Sequence, residues 1–426
     1  MKGRKVLLAA ISLVVMTPCL SANADTQGTG SEGVSSLMEW VKQGKASGAI
    51  KYLWYYRDND VSLDASTFAV GGNLKYETAP LYGFRVGAGF KTSQGASWNS
   101  DSKAVYGAVL DRSGPTSPEN YTAMDEYYVS YQGYDTTVTF GAQSVFNPWI
   151  KGFDVYMAPI KYRGLSIKNT TFNVEESKHK FILEALYLDE VLGWTAEEFD
   201  SIASGYTKNP EADGGMFAAG VTYRAPGDLR FQLWDYYYED VQNDLSFEAR
   251  YRRPLSKDVN MVMNFKYLNR QDTGDAYAGE LDTWTAGGDI GVSFKGFTLT
   301  GYYGQVGDDR VDDPYGGNKV IIQQAGANLQ RPEETGYAVK LDYNFKQIGV
   351  EGLTAYTFLA TYDTPDKGTN ASQDYDQIDF NLQYKLGGWF KGCEARLRYA
   401  IRNVDDDVSG SLQDFNDIRF SLAYRF

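Results

Sequence analysis

The basic residues of this chain recur at even spacing within short segments. Arg250 precedes Arg252, Lys266 precedes Arg270, and Lys340 stands alone in a polar row. Arg396, Arg398 and Arg402 form one set, and Arg419 and Arg425 another. Guanidinium and ammonium groups aligned on one surface attract anions, and the planar guanidinium fork matches a carboxylate in particular. A competing chemistry is wall pairing, because Glu248 and Glu394 share a face with some of these bases. Other chemistry is thin. His179 is the single histidine, which leaves no second ring for a His-based metal site. No paired-carboxylate motif stands out. Asp308-Asp309, Asp312-Asp313 and Asp405-Asp406-Asp407 could hold divalent cations, but acidic runs in loops are read first as solvated charge.

Even spacing puts residues on one side of a β-strand, where side chains alternate between faces. The elements that must carry the bases are therefore strands, and the whole chain reads that way. Ile418, Phe420, Leu422, Tyr424 and Phe426 alternate with Arg419, Ser421, Ala423 and Arg425. Leu245, Phe247, Ala249 and Tyr251 alternate with Ser246, Glu248, Arg250 and Arg252. About 18 such segments follow one another, starting near 48, 65, 81, 121, 136, 162, 179, 215, 228, 243, 257, 282, 296, 335, 352, 376, 392 and 416. Their links alternate between short turns, such as Ala225-Pro226-Gly227 and Lys295-Gly296, and long polar loops at 92–120, 190–214, 271–281, 306–334, 363–375 and 403–415.

The amino end reads as a secretory signal over residues 1–24. Lys2, Arg4 and Lys5 precede an apolar run, and Ala22-Asn23-Ala24 is a small-residue cleavage site. Its removal takes the balance from 41 basic against 55 acidic residues to 38 against 55, that is from −14 to −17, which argues against nucleic-acid binding. It also leaves Cys393 as the single cysteine, so no intrachain disulfide is expected. Residues 25–47 are expected to form a periplasmic segment with a short amphipathic helix between Gly33 and Gly48, where Val34, Leu37, Met38 and Val41 fall at helical spacing. That helix is expected to dock inside a barrel or at its periplasmic rim.

The remaining stretch, 48–426, has no run near the roughly 20 apolar residues of a membrane helix. It is rich in Tyr, Phe, Trp and Gly instead: 33, 22, 8 and 44 residues in the full chain. This is the profile of a closed, all-β, antiparallel transmembrane barrel with aromatic girdles. A bilayer tolerates strands only when closure satisfies every backbone group. The competing architecture is a soluble sandwich, in which Phe420, Leu422 and Tyr424 would pack on a second sheet. About 18 strands enclose an aqueous lumen, and lipid-facing arginine would cost roughly 2–4 kcal/mol near the midplane, so the bases are assigned to the lumen. Phe426 with Tyr424 matches the terminal signal read by the outer-membrane assembly machinery.

Two stretches also carry a family resemblance: Thr139-Phe140-Gly141-Ala142-Gln143-Ser144-Val145-Phe146-Asn147-Pro148-Trp149-Ile150, and Asp154-Val155-Tyr156-Met157-Ala158-Pro159 with the residues up to Leu165. With Ser47 to Tyr56 and Asp417-Ile418-Arg419-Phe420, they resemble the OprD-type outer-membrane porin family. The resemblance implies an 18-stranded barrel narrowed by an inward-folded third extracellular loop. It also implies passive uptake of small, often carboxylate-bearing solutes past a ladder of basic residues. On this chain the constriction loop maps to about 145–161, with Asn147, Pro148, Trp149, Lys151, Asp154 and Tyr156 as eyelet candidates. The family often carries Arg where this chain has Tyr156.

No catalytic residue, cofactor or metal is expected. The expected surroundings are outer-membrane lipid and lipopolysaccharide, and a homotrimer is one permitted assembly. Alternatives are a barrel hydrolase of phospholipase or protease type, which would need a nucleophile beside His179, and a non-conducting adhesin or structural barrel.

Overall fold

The computed structural model describes residues 36–99, 102–152, 155–170 and 178–426. The signal segment 1–24, Gly33, Val34 and Asp154 lie outside the described residues. The main sheet has 19 strands, of which the two-residue Asp200–Ser201 pairs only beside its neighbour. The other 18 form the wall. In chain order they are β1 Lys45–Asn59, β2 Ala65–Glu77, β3 Phe84–Gly95, β4 Tyr121–Gly133, β5 Thr136–Gln143, β6 Lys161–Asn169, β7 Lys180–Leu192, β8 Met216–Ala225 and β9 Leu229–Tyr238. The circuit continues with β10 Gln242–Pro254, β11 Val259–Asp272, β12 Asp282–Phe294, β13 Phe297–Val306, β14 Thr335–Asn344, β15 Leu353–Asp363, β16 Tyr375–Lys385, β17 Cys393–Val404 and β18 Phe415–Arg425. Every strand is antiparallel to the next. β18 returns to β1, from Ala49 opposite Arg425 to Asn59 opposite Phe415, and closes the barrel.

The period-2 pattern becomes two surfaces. On β1 the side chains of Ala49, Lys51, Leu53 and Tyr55 are buried inward, while Ile50, Tyr52 and Trp54 are exposed outward. On β18 Asp417 and Arg419 face in, and Leu422, Tyr424 and Phe426 face out, with no second sheet over them among the described residues. The short turns lie on one rim. Lys295 and Gly296 both take positive φ, 46° and 85°, which a two-residue turn needs to match the strand twist. Two register slips interrupt the alternation of the barrel sheet, one of them between β6 and β7 at Arg163/Gly164. The β3–β4 register slips at Gly89/Phe90, and consecutive residues Asp125 and Glu126 are both buried on the inner side.

The amino-terminal helix is shorter than its spacing suggests. α1 covers Leu37–Lys42, started by the Ser36 hydroxyl accepting from the Glu39 amide. From Lys45 the chain is already paired with Glu77 of β2, and this extended pairing ends the helix. α1 lies against the outward side of the rim. Trp40 Nε1 donates to the Phe84 carbonyl at 3.3 Å, and the Tyr76 hydroxyl donates to the Val41 carbonyl. Leu37, Met38 and Val41 are 68%, 67% and 53% exposed, so the helix is held by Trp40 rather than by its apolar stripe.

Candidate functional site: the basic wall and the inward loops

The bases that converge lie on three adjacent strands. In register, Asn381 of β16, Arg398 of β17, Arg419 of β18 and Tyr55 of β1 share one level. One level toward the long loops stand Asp379, Ala400, Asp417 and Arg57, and beyond them Gln377, Arg402 and Phe415. Like charges directly opposite repel, so this wall needs holding. Asp417 accepts from Arg419 Nε and Arg57 Nε, each at 2.8 Å, and from the Tyr106 hydroxyl. Arg398 donates to the Tyr55 hydroxyl at 2.9 Å, and Arg396 to Asn381 at 2.6 Å. Among the described residues Arg396, Arg398 and Arg402 form no ion pair.

Four long loops fold inward, the first of them, 96–120, burying Val105, Tyr106, Val109 and Leu110 against Leu53 and Tyr55. The third extracellular loop, 144–160, is clasped at its base, where Glu126 Oε1 accepts from Ser144 at 2.7 Å and from Lys161 at 2.5 Å. Lys75 stands 3.2 Å from the other carboxylate oxygen of Glu126. The loop then crosses the lumen. Trp149 Nε1 donates to Ser246 of β10 at 3.0 Å, and Asn147 accepts from Tyr236 of β9 at 2.9 Å. On its return, the Val155 carbonyl accepts from Tyr55 at 2.6 Å, and that of Tyr156 from Lys51 at 2.8 Å. Burial pushes the Lys151 ammonium down to about 8; Lys266 and Arg230 push the same way, while Glu248 and Asp313 oppose.

Loop 307–334 supplies a second constriction element that the alternation did not reveal. Val320, Ile321 and Leu329 are buried, and a Cβ on Gly287, Gly304 or Gly336 would meet them within 3.0 Å. Bare glycine on three adjacent strands is what lets the loop lie flat on the wall. Its tip reaches the basic strands: Gln324 N donates to Asp379 at 2.9 Å, and Arg57 donates to the Ala325 carbonyl at 3.2 Å. A further inward loop, 193–215, carries α2 Ile202–Thr207. Its Trp194 ring packs 5.0 Å from Tyr156, and its carbonyl accepts from Lys91 at 3.0 Å. The readable signal was the run of apolar residues from Val320 to Leu329, unusual for a solvated loop.

The sequence-derived candidates separate on this geometry. Arg396, Arg398, Arg402 and Arg419 come together on the β17–β18 wall. Arg250 is on the opposite wall, facing Arg230 across the β9–β10 register. Arg270 does not line open space. It is 2% exposed, forked onto Asp244 at 2.7 Å and donating to the Asp312 carbonyl at 2.9 Å. Lys266 is held by Asn318 and the Lys319 carbonyl at 3.2 and 2.8 Å. Lys340 pairs with Asp342 at 2.8 Å. Arg252 and Arg425 stand at the short-turn rim, 3.6 Å from Asp228 and Glu394 respectively. In the third loop Asn147, Pro148 and Trp149 are buried against the wall rather than presented to an opening, whereas Lys151 and Tyr156 keep partial exposure. His179 accompanies the aromatic row at the rim, stacked on Tyr223 and 2.7 Å from its hydroxyl.

Comparisons with known proteins agree with this architecture. Porin-like protein GalP of Pseudomonas putida is 26% identical over 212 residues, 47% of this chain and 49% of that protein. Porin D of Pseudomonas aeruginosa is 22% identical over 230 residues, 48% and 52%. The chain thus spans about half the length of these relatives. The Acinetobacter baumannii OccAB3 structure superposes with a TM-score of 0.80 at 19% identity, covering 91% of this chain and 100% of that one. The Pseudomonas aeruginosa OpdK structure with vanillate gives 0.78 at 19%, covering 91% and 99%. These two likenesses concern the fold. Residues 89–426 match the family described as outer membrane porin, OprD family. The chain belongs to that family and is an integral protein of the bacterial outer membrane.

Proposed function

We propose that the chain is a passive diffusion pore for small hydrophilic solutes that favours anionic, carboxylate-bearing ones. The observation that carries this reading is the β17–β18–β1 wall, where Arg396 and Arg402 face inward, partly exposed and, among the described residues, without an ion-pair partner. A guanidinium that lacks a carboxylate of its own is free to bind one in transit. A channel must bind weakly and at several sites in sequence, so that entry is favoured and exit is not blocked. The levels of Arg402, of Arg57 with Asp417, and of Arg396 offer such steps. The vanillate of OpdK is a carboxylate bound by a protein of this fold, and it lends the reading chemical plausibility.

The test is reversal potential across a planar bilayer in a salt gradient. The native chain is expected to prefer anions, and Arg396→Gln with Arg402→Gln to lose about tenfold of that preference, in line with removing two charge-assisted contacts. A strong cation preference in the native chain refutes the proposal. A hydrolase reading would need a nucleophile beside His179, and the described contacts of that ring are to the rim aromatic Tyr223.

A further inference from the structure

The arginines of the basic wall alternate with aromatic rings in one chain of contacts, each ring touching two of them, although Arg398 and Arg419 also stand opposite each other in register. Starting near the long loops, the Tyr375 ring lies between Arg331, at 4.8 Å from its centroid, and Arg402, at 4.7 Å. Phe415 lies between Arg402 at 4.5 Å and Arg57 at 4.2 Å. Tyr106 lies between Arg57 at 5.3 Å and Arg419 at 5.4 Å. Tyr55 lies between Arg419 at 5.4 Å and Arg398 at 5.7 Å. Five guanidiniums and four rings thus alternate without a break, from the mouth to the level of the third loop.

The rings come from four separate places: the first residues of β16 and β18, the loop after β3, and the middle of β1. No local repeat produces the array; only barrel closure assembles it. All four rings are buried. Phe415 has no polar atom, so all it can offer Arg402 and Arg57 is its two faces.

We infer that the interleaved rings, Phe415 and Tyr375 above all, are positioning residues for anion selectivity, acting through the arginines they separate. This rests on the reading of the pore as anion-favouring. Two devices can hold a row of like charges in place. A carboxylate holds an arginine and cancels its charge, as Glu334 does for Arg331 at 2.8 Å and Asp417 for Arg57 and Arg419. A ring face holds it through the π quadrupole and leaves the charge in place. Arg402 is held the second way, with two ring contacts and one long 3.5 Å contact to Gln377. A ring takes up no N–H in an ion pair, so the donors of such a guanidinium stay available to a passing carboxylate. Without the spacers the side chains would swing toward acidic neighbours or apart, and the row would lose its register while keeping every charge.

The experiment measures anion-over-cation permeability of the full chain in planar bilayers, with Phe415→Leu, Phe415→Tyr, Tyr375→Leu, Arg402→Gln and the Arg402→Gln/Phe415→Leu double variant. Heat-modifiable gel migration reports closure of each barrel. Phe415→Leu is expected to lower the permeability ratio about threefold, the scale of a partly desolvated cation–π contact, with no change in formal charge. Phe415→Tyr should retain the native ratio, and Tyr375→Leu should repeat the loss nearer the mouth. With Arg402 already replaced, Phe415→Leu should subtract less than it does from the native chain. A native ratio in closed Phe415→Leu and Tyr375→Leu barrels overturns the inference while leaving the anion reading intact, and so does a fully additive double variant. A native chain without anion preference overturns both.

Discussion

Each inward base takes its role from its nearest partner. Arg270 and Arg398 have the same parity on their strands and the same chemistry. One is sealed by Asp244, the other touches a tyrosine hydroxyl. Parity was readable from the sequence, but the partner across the sheet was not, because register between strands is set by closure and turn geometry. The Asp125–Glu126 pair makes the same point: a bulge brings both carboxylates inward where strict alternation allows one. Lys151 gives a prediction at this scale. Burial disfavours its charged form, so its proton leaves earlier than from an ordinary lysine. Its charge is present below about 8 and lost above. Anion preference is therefore expected to fall as pH rises through about 8, and reversal potentials with Lys151→Gln should lack that step. An unchanged pH profile in Lys151→Gln rules the assignment out.

At the scale of elements, strands and loops differ in how openly the sequence declares them. A strand between lipid and water must alternate along its length, so all 18 are visible as pattern, and each begins within three residues of its expected start. Inward folding of a loop leaves no periodicity. The third loop was placed only through family likeness, and loop 307–334 was missed although Val320 to Leu329 is too apolar for a solvated link. α1 was expected to pack through Leu37, Met38 and Val41, and these are its exposed side. The Glu126 clasp sets how firmly the third loop stays in. Glu126→Ala would leave Lys161 buried without its carboxylate, a change of about 3–5 kcal/mol for a buried pair broken on one side. Single-channel recording is expected to show larger, noisier conductance with weaker selectivity. Quiet native-sized openings would show that the clasp is dispensable. Because Lys75 also reaches Glu126, Glu126→Gln should give a milder version of the same change.

The whole molecule separates two fields. Loops carry runs such as Asp405-Asp406-Asp407 on a chain of net charge −14, while arginine gathers on one sector of the inner wall. Outer acidity and inner basicity act on different parts of the path, and at physiological salt each is screened beyond roughly 8 Å. The wall therefore acts on solutes that have already passed the mouth. Barrel closure is the condition for that arrangement, since the basic sector spans the β18–β1 join.

That join has one more implication. The Gly48 amide donates to the Phe426 carbonyl at 3.1 Å, and the Phe426 amide donates back to Gly48 at 3.2 Å. The two ends of the circuit are already neighbours on the short-turn rim. Linking Phe426 to Lys45 through a few flexible residues, and cutting instead in loop 364–374, should yield a circular permutant with the native conductance, as expected where termini adjoin and the new break is exposed. If that permutant folds but conducts differently, the order in which strands are threaded leaves a mark on the finished pore.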